Sequence, residues 1–447
     1  MMESENSLKR MWIWLICLFA LYFVYSSCTA LFIQLYALPH MFPHMHEGEG
    51  LLKYTDSVSF HHFAVELAGK MHREGISAWS LDPIADCNMQ PATIAAISYY
   101  LFSPKLWAVI PYNSILHGLS GCILFYMAFR FLKSHWQAVI ASLPFVVFPS
   151  SITWYGQLHR DGLFIIGSYL ACLCIFLLTS SKLTPKRITI SILCVLLAMV
   201  CMFASRDEAL PILVLVVGAW LVILILLKIW MTLKLGSFNK NLIVGLAVIT
   251  VFGSSAVFSL LSEGASTLPQ HFENKWKKDT WVPGFMEWRV QEMAMRRQLF
   301  YDMYPNSGSN IDADKPLTSF SRVLLYIPRA IQVAYLAPFP KTWFDQGVRG
   351  RTFQRRISGL EMSFSYFLML GVPMSLFYFR KNLQFWSVLF FSSVMVLPFA
   401  IAIPNVGTLY RIRYGFFMLV VMLGVVGWFS FFNHYRNKRN ISSDGVL

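Results

Sequence analysis

Carboxylates are scarce in this sequence: 23 Asp and Glu stand among 447 residues, and charged residues of both signs make up only 13%. With 56% hydrophobic residues and a mean hydropathy of +0.53, that excludes an ordinary soluble domain. Cysteine offers no framework. Of eight, Cys17, Cys28, Cys122, Cys172, Cys174, Cys194 and Cys201 lie in apolar runs and only Cys87 lies in a polar loop, so a set of loop disulfides is excluded. No CxxC pair or Cys/His cluster has metal-site spacing. A Walker loop, a GxSxG elbow and a Rossmann glycine pattern are all missing, which argues against nucleotide hydrolysis. The apolar run 11–35 is too long for a signal-peptide core, and no small-x-small site follows it; an uncleaved first span preceded by Lys9 and Arg10 is expected.

What is present is apolar sequence in lengths of about 20 residues, the length a helix needs to cross the hydrocarbon core. The runs are 11–37, 107–131, 137–155, 162–180, 188–205, 210–231, 241–261, 361–379, 383–403 and 412–432. Lys9/Arg10, Arg130/Lys133, Lys182/Lys186/Arg187, Lys228/Lys234/Lys240, Arg380/Lys381 and Arg436/Lys438/Arg439 flank alternate ends. That is the pattern of positive-inside orientation, with both termini cytoplasmic. The expected fold is therefore an all-α polytopic membrane protein, a single domain over 1–447 in the cytoplasmic membrane. It has about ten transmembrane helices, interfacial helices and two long extracytoplasmic loops, 38–106 and 262–360. On this topology only Glu3, Glu5 and Asp444 face the cytoplasm, and every other carboxylate lies on the opposite side. Costly charges concentrated at one face of a membrane mark a working surface.

Phe60, Phe63, Ala64, Leu67 and Met71 recur at helical spacing after Asp56, which predicts an amphipathic interfacial helix with Asp56 at or near its cap. The segment 92–102 is too short to span and is expected to re-enter or lie flat. The stretch 323–340, interrupted by Pro328 and Arg329, reads as another interfacial helix. Four arginines sit at the ends of outer loops, where orientation gives them no purpose: Arg160, Arg206, Arg411 and Arg413. A guanidinium fork matches phosphate oxygens, so these positions are candidates for a lipid-phosphate headgroup. Arg160 and Arg206 could instead pair with their neighbours Asp161, Asp207 and Glu208, whereas Arg411 and Arg413 have no acidic neighbour in sequence. The net charge of +14 is scattered over span ends and outer loops, so anionic lipid or phosphate is the expected partner and nucleic acid is not.

Asp56 is the leading catalytic candidate, able to take a proton from a hydroxyl nucleophile; a plain helix cap is the alternative. Asp161 and Glu208 could complete a second acidic cluster facing the same cavity. His40, His44 and His46, with Glu47 and Glu49, could bind a divalent cation, although no defined metal motif is present.

The stretch Y-T-D-S-x-x-F-H-x-F-A from Tyr54, and S-Y-Y-L-F-S-P from Ser98, together with the topology, resemble the GT-C superfamily of membrane glycosyltransferases. That group includes protein O-mannosyltransferases, aminoarabinose transferases and bacterial polyprenyl-phosphate-dependent transferases. W-Y-G-Q-L-H-R-D at 154–161, Y-I-P-R-A…A-P-F-P at 326–340 and N-V-G-T-L-Y-R-I-R at 405–413 are similar to further segments of such proteins. The resemblance implies transfer of a sugar from a polyprenyl-phosphate or -diphosphate carrier to a lipid, glycan or protein acceptor outside the cytoplasm. It implies an acidic catalytic residue in the first outer loop, which Asp56 matches. Ser57 follows it where many members carry a second acid. On this reading Asp56 and Asp161 are the catalytic candidates. Arg160, Arg206, Glu208, Arg329, Arg411 and Arg413 would form the carrier-phosphate and substrate site. A surface-polysaccharide polymerase or ligase, a lipid-linked sugar flippase and a structural assembly protein are the alternatives.

Overall fold

The structure is a computed structural model, and it describes residues 2–80, 89–180, 184–235, 275–305, 307–347 and 352–444. Among them, eight helices are long and apolar enough to cross a membrane: Arg10–Met41, Leu106–Leu132, Asp161–Leu178, Pro185–Phe203, Asp207–Leu224, Thr352–Phe379, Leu383–Ala402 and Tyr414–Lys438. His135–Val147 and Pro149–Tyr155 form a further apolar pair bent by 60°, a broken span or a re-entrant loop, which brings the count to nine if the pair is one span. The chain is a multi-pass membrane protein of the all-α class. The expected span at 241–261 and the loop cysteine Cys87 lie outside the described residues.

The break divides the apolar run 137–155, expected as a span, into two helices. Pro144 stands inside the first half, and Pro149 forces Phe148 into an extended conformation (φ −65°, ψ 141°), which no α-helix tolerates. The helix Thr352–Met369 is likewise interrupted before Val372–Phe379. There Gly371, Gly424 and Gly427 let two backbones meet: a Cβ on Gly371 would strike the Gly424 carbonyl, and one on Gly427 the Gly371 carbonyl. Polar side chains also join helices in the bundle. His117 Nδ1 is 3.1 Å from Ser26 Oγ and its Nε2 is 3.0 Å from Ser151 Oγ, while the ring stacks on Tyr155 at 4.3 Å.

The first long loop folds into compact structure. A short ribbon pairs His46–Gly48 with Leu51–Leu52, and elsewhere a lone bridge pairs Asn310 with Asn405. The ribbon's turn puts Gly50 at φ +81° against the Gln34 backbone, where a Cβ would collide. The helix Asp56–Glu74 forms as its spacing predicts. Its apolar face, with Phe60, Ala64, Ala68 and Met71 buried, packs on the helix Gln90–Leu101 through Ala92, Ala95, Ala96 and Tyr99. The two segments, expected at the membrane interface, cover each other's apolar faces as a helical pair. His61 ties this pair to the ribbon, with Nδ1 2.7 Å from Tyr99 Oη and Nε2 3.1 Å from Glu49 Oε2.

The second long loop is also ordered where described. Gly284–Met303 is a helix that the polar composition of the loop conceals. Phe320–Leu336 is a one-sided helix that buries Phe320, Val323, Tyr326, Ala330, Val333 and Ala334 and leaves Leu325 exposed. It is not among the helices that could span, as its interior proline and arginine led one to expect.

Candidate functional site

The site is built on the hexapeptide 156–161, between Tyr155 and the helix beginning at Asp161. Loop backbone buried inside a protein must find hydrogen-bond partners, and here distant side chains supply them. Asn113 Nδ2 donates to the carbonyls of Tyr155 (3.0 Å) and Gln157 (2.8 Å), and Gln34 Nε2 donates to that of Gly156 (2.8 Å). Gln157, wholly buried, reaches outward: its Nε2 donates to Gly50 O at 2.9 Å, and its Oε1 accepts from Leu52 N at 3.0 Å. Leu158 N donates to Ser57 Oγ at 3.2 Å. Ser57 adjoins Asp56, so these bonds register the first turn of Asp56–Glu74 against the segment that carries His159, Arg160 and Asp161.

Arg411 then joins the two. It lies on the short helix Val406–Ile412, whose cap Asn405 accepts from Thr408 N at 3.1 Å and donates to Ser307, Ser309 and Asn310 of the second loop. Arg411 Nη2 donates to Asp56 Oδ2 at 2.6 Å, and its Nε stands 3.1 Å from Asp161 Oδ2, an ion contact out of line for a hydrogen bond. Asp161 Oδ1 accepts from Arg206 Nη2 at 3.0 Å, and Arg206 Nη1 lies 3.6 Å from Glu208 Oε1. Asp161 is 1% exposed and Arg206 2%. Five charged side chains from the first loop, two span starts and the late loop thus form one chain, Asp56–Arg411–Asp161–Arg206–Glu208, at a single end of the helix bundle.

The electrostatics follow from this crowding. Burial would raise the Asp56 carboxyl, but the charge and hydrogen bond of Arg411, helped by His159 and Arg160, outweigh it and hold the group below the usual aspartate value. Burial, and then Arg411, push the neighbouring His159 down to about 4, so its imidazole is neutral at pH 7; its Nδ1 is buried without a hydrogen-bond partner among the described residues. Burial and the charge of Arg206 lower Arg160 to about 10, still cationic at neutral pH. Burial disfavours the cation of Arg411, yet Asp161 and Asp56 more than restore it and raise the group above its ordinary value.

The structure thus brings together Asp56, Asp161, Arg160, Arg206, Glu208 and Arg411. It places the other two candidates elsewhere. Arg329 makes a fork onto Asp312, with Nε to Oδ2 at 2.9 Å and Nη2 to Oδ1 at 3.2 Å. Arg413 is buried and donates to the carbonyls of Val333, Ala334 and Ala337, with Tyr410 and Phe417 rings at 5.0 and 4.9 Å. A cation on the last carbonyls of Phe320–Leu336 caps that helix and complements its dipole. Neither an acidic partner nor an open headgroup position explains Arg413; helix carbonyls do. Arg413→Lys should therefore lower unfolding stability by about 1–3 kcal/mol, because one ammonium cannot fork across three buried acceptors. Thermal unfolding in detergent checks this, and an unchanged midpoint would refute the capping role.

No three His, Cys, Asp or Glu side chains come together as a metal-holding group among the described residues. In the histidine stretch, His46 Nε2 accepts from Gly50 N at 3.0 Å and Glu49 is engaged by His61. His40 and His44 are exposed on separate turns. His159 and Gln157 are the functional neighbours that reading by residue type missed; their signal was the polar run Gly156–Asp161 between two apolar spans. Comparison with protein families, curated proteins and solved structures finds no match to this chain.

Proposed function

We propose that this protein is a membrane glycosyltransferase acting on a polyprenyl-linked sugar at the extracytoplasmic face. The observation that carries the reading is the Asp56–Arg411–Asp161–Arg206 chain: a half-exposed carboxylate beside arginines held rigid by a fully buried one. The acceptor hydroxyl gives its proton to Asp56 while its oxygen bonds to the anomeric carbon. The bond from that carbon to the carrier oxygen breaks, and the electron pair leaves with the phosphate. Arg411 and Arg160 stand where that charge would develop, and preformed cations in a site of low dielectric stabilise it most. Asp161 touches no substrate in this scheme; it orients Arg411 and Arg206. The likeness of the Asp56 and Asp161 segments to GT-C enzymes points the same way. A flippase would carry its polar groups near the middle of broken spans, whereas this cluster sits at span ends.

Two measurements test the reading. In sealed right-side-out vesicles carrying Cys87→Ser, an impermeant thiol reagent should label Ser77→Cys and not Lys381→Cys, since the basic connections face the cytoplasm. The purified protein in bilayer discs, given a polyprenyl-phosphate sugar and a membrane extract as acceptor source, should release polyprenyl phosphate. Reversed labelling would put the cluster on the wrong side, and absent release would remove the transferase assignment.

A further inference from the structure

If the functional reading holds, the geometry of Asp56 poses a problem, since a carboxylate locked onto Arg411 at 2.6 Å is a poor proton acceptor. We infer that Arg411 is a shared cation, and that the carrier phosphate takes it from Asp56, so that binding of the donor releases the base. This rests on the reading of the cluster as a phosphate site and adds the order in which the site works.

Charge matching requires some such exchange. Arg160, Arg206 and Arg411 already face Asp56, Asp161 and Glu208, and Asp207 adds a further carboxyl beside Glu208, so no cation of the cluster is in excess. A phosphate entering a matched cluster brings excess negative charge, and repulsion is relieved when one carboxylate withdraws. Accessibility decides which. Asp161 is pinned between Arg206 and Arg411 with no room to reach water, and Arg206, its partner, is equally enclosed. Glu208 stands 3.6 Å from the enclosed Arg206, lies within the field of Arg160 and is hydrogen-bonded to Asp207, so several groups hold it in place. Asp56, at 48%, is the most exposed of these carboxylates, against 33% for Glu208 and 1% for Asp161, and the Arg411 it holds is itself 17% exposed.

The exchange has a favourable direction. A phosphate offers Arg411 a bidentate, charge-assisted pairing, whereas Asp56 gives it a single hydrogen bond. Asp161 keeps Arg411 in place throughout from the Nε side. Asp56 remains fixed in the first turn of its helix, with the neighbouring Ser57 bonded to the 156–161 segment, so it is released from Arg411 without leaving the site. The consequence is an ordered mechanism, in which the base is armed only when a donor is bound and idle proton transfer to water is suppressed.

Competition for one cation has a thermodynamic signature independent of turnover. Binding of a short-chain polyprenyl monophosphate, with inorganic phosphate as the lipid-free arm, is measured on the full chain in bilayer discs. Asp56→Asn should tighten probe binding by roughly tenfold, because the competitor is gone. In an Arg411→Gln background the same change should matter by less than about twofold. Gain in either arm supports the lock, and the arm that shows it tells lipid-linked from free phosphate. Unchanged or weaker binding by Asp56→Asn overturns the lock, as does equal tightening in both backgrounds, which would be plain repulsion. Should Arg411→Gln not fold, carbodiimide modification of Asp56 in the wild-type protein, read by mass spectrometry, replaces it. Saturating probe should speed modification, and protection would overturn the lock. A wild-type protein that binds neither phosphate sinks the functional reading itself, an outcome distinct from binding without exchange.

Discussion

Asp56→Asn should reduce sugar transfer by about 10²–10⁴-fold, the usual yield of a positioned general base, while the protein folds and inserts normally. The amide keeps the size of the side chain at the first position of its helix and removes only the charge. The structural loss is small, since Asp56 is half-exposed and an ion pair open to solvent contributes about 1 kcal/mol or less. Linkage places this small loss at neutral pH, where it is complete. The carboxyl is held below its unfolded value, so its contribution is complete above the ordinary aspartate pKa and disappears only as the pH falls through the depressed folded value. Near neutrality, then, the variant separates catalysis from stability. Steady-state release of polyprenyl phosphate, measured beside the thermal unfolding midpoint, checks both halves. An Asn variant with near-parental turnover would reduce Asp56 to a first-turn helix residue.

Asp161→Asn should behave in the opposite way, with a large loss of stability. Its carboxylate neutralises Arg206, which has no route to water, and touches Arg411 on the far side. Removing one member of a buried pair strands the other, at a cost of about 3–5 kcal/mol. Much of the protein would then be lost from membranes before activity is assayed. The cure is to remove the stranded charge as well. Asp161→Asn combined with Arg206→Met should be less destabilised than the two single changes predict together, because the enclosed Arg206 charge is no longer stranded, while Glu208, 33% exposed, can turn to water. Turnover should stay low in the double variant, since Arg411 has lost the carboxylate that aims it. Unfolding midpoints of the four proteins in detergent give the coupling, and additive effects would mean that the pair is not an energetic unit.

The two arginines at 411 and 413 show how far a linear reading reaches. Both stand in a late outer loop without an acidic neighbour, and residue type alone treats them as a pair. Helical residues advance by about 100° each, so positions two apart face nearly opposite ways. The short helix Val406–Ile412 aims Arg411 at the carboxylates, and its C-cap Arg413, still in helical conformation, turns to the carbonyls of Val333, Ala334 and Ala337. The signal was present, but only for a reader who knew that these seven residues were helical. The amphipathic helix from Asp56 shows a related gap: its apolar face was correctly drawn, yet alternation of residue types cannot say whether lipid or another helix covers it.

Hydropathy, span length and the alternation of basic residues are local quantities, summed over some twenty neighbours, and they determined the class of this protein, the placement of nearly every described span and the face expected to hold the chemistry. Whether Asp56 meets Arg411 across 355 positions is not local. It depends on Gln157, Asn113 and Gln34 satisfying the carbonyls of one buried loop, on a proline-broken helix pair that delivers that loop, and on Asn405 anchoring a short helix to the second outer segment. Each of these is a partner choice that burial forces on polar groups, and burial exists only once the helices have packed. The tertiary structure alone therefore decided which carboxylate is enclosed, which is half-exposed, and which arginine caps a helix rather than joining the ion cluster.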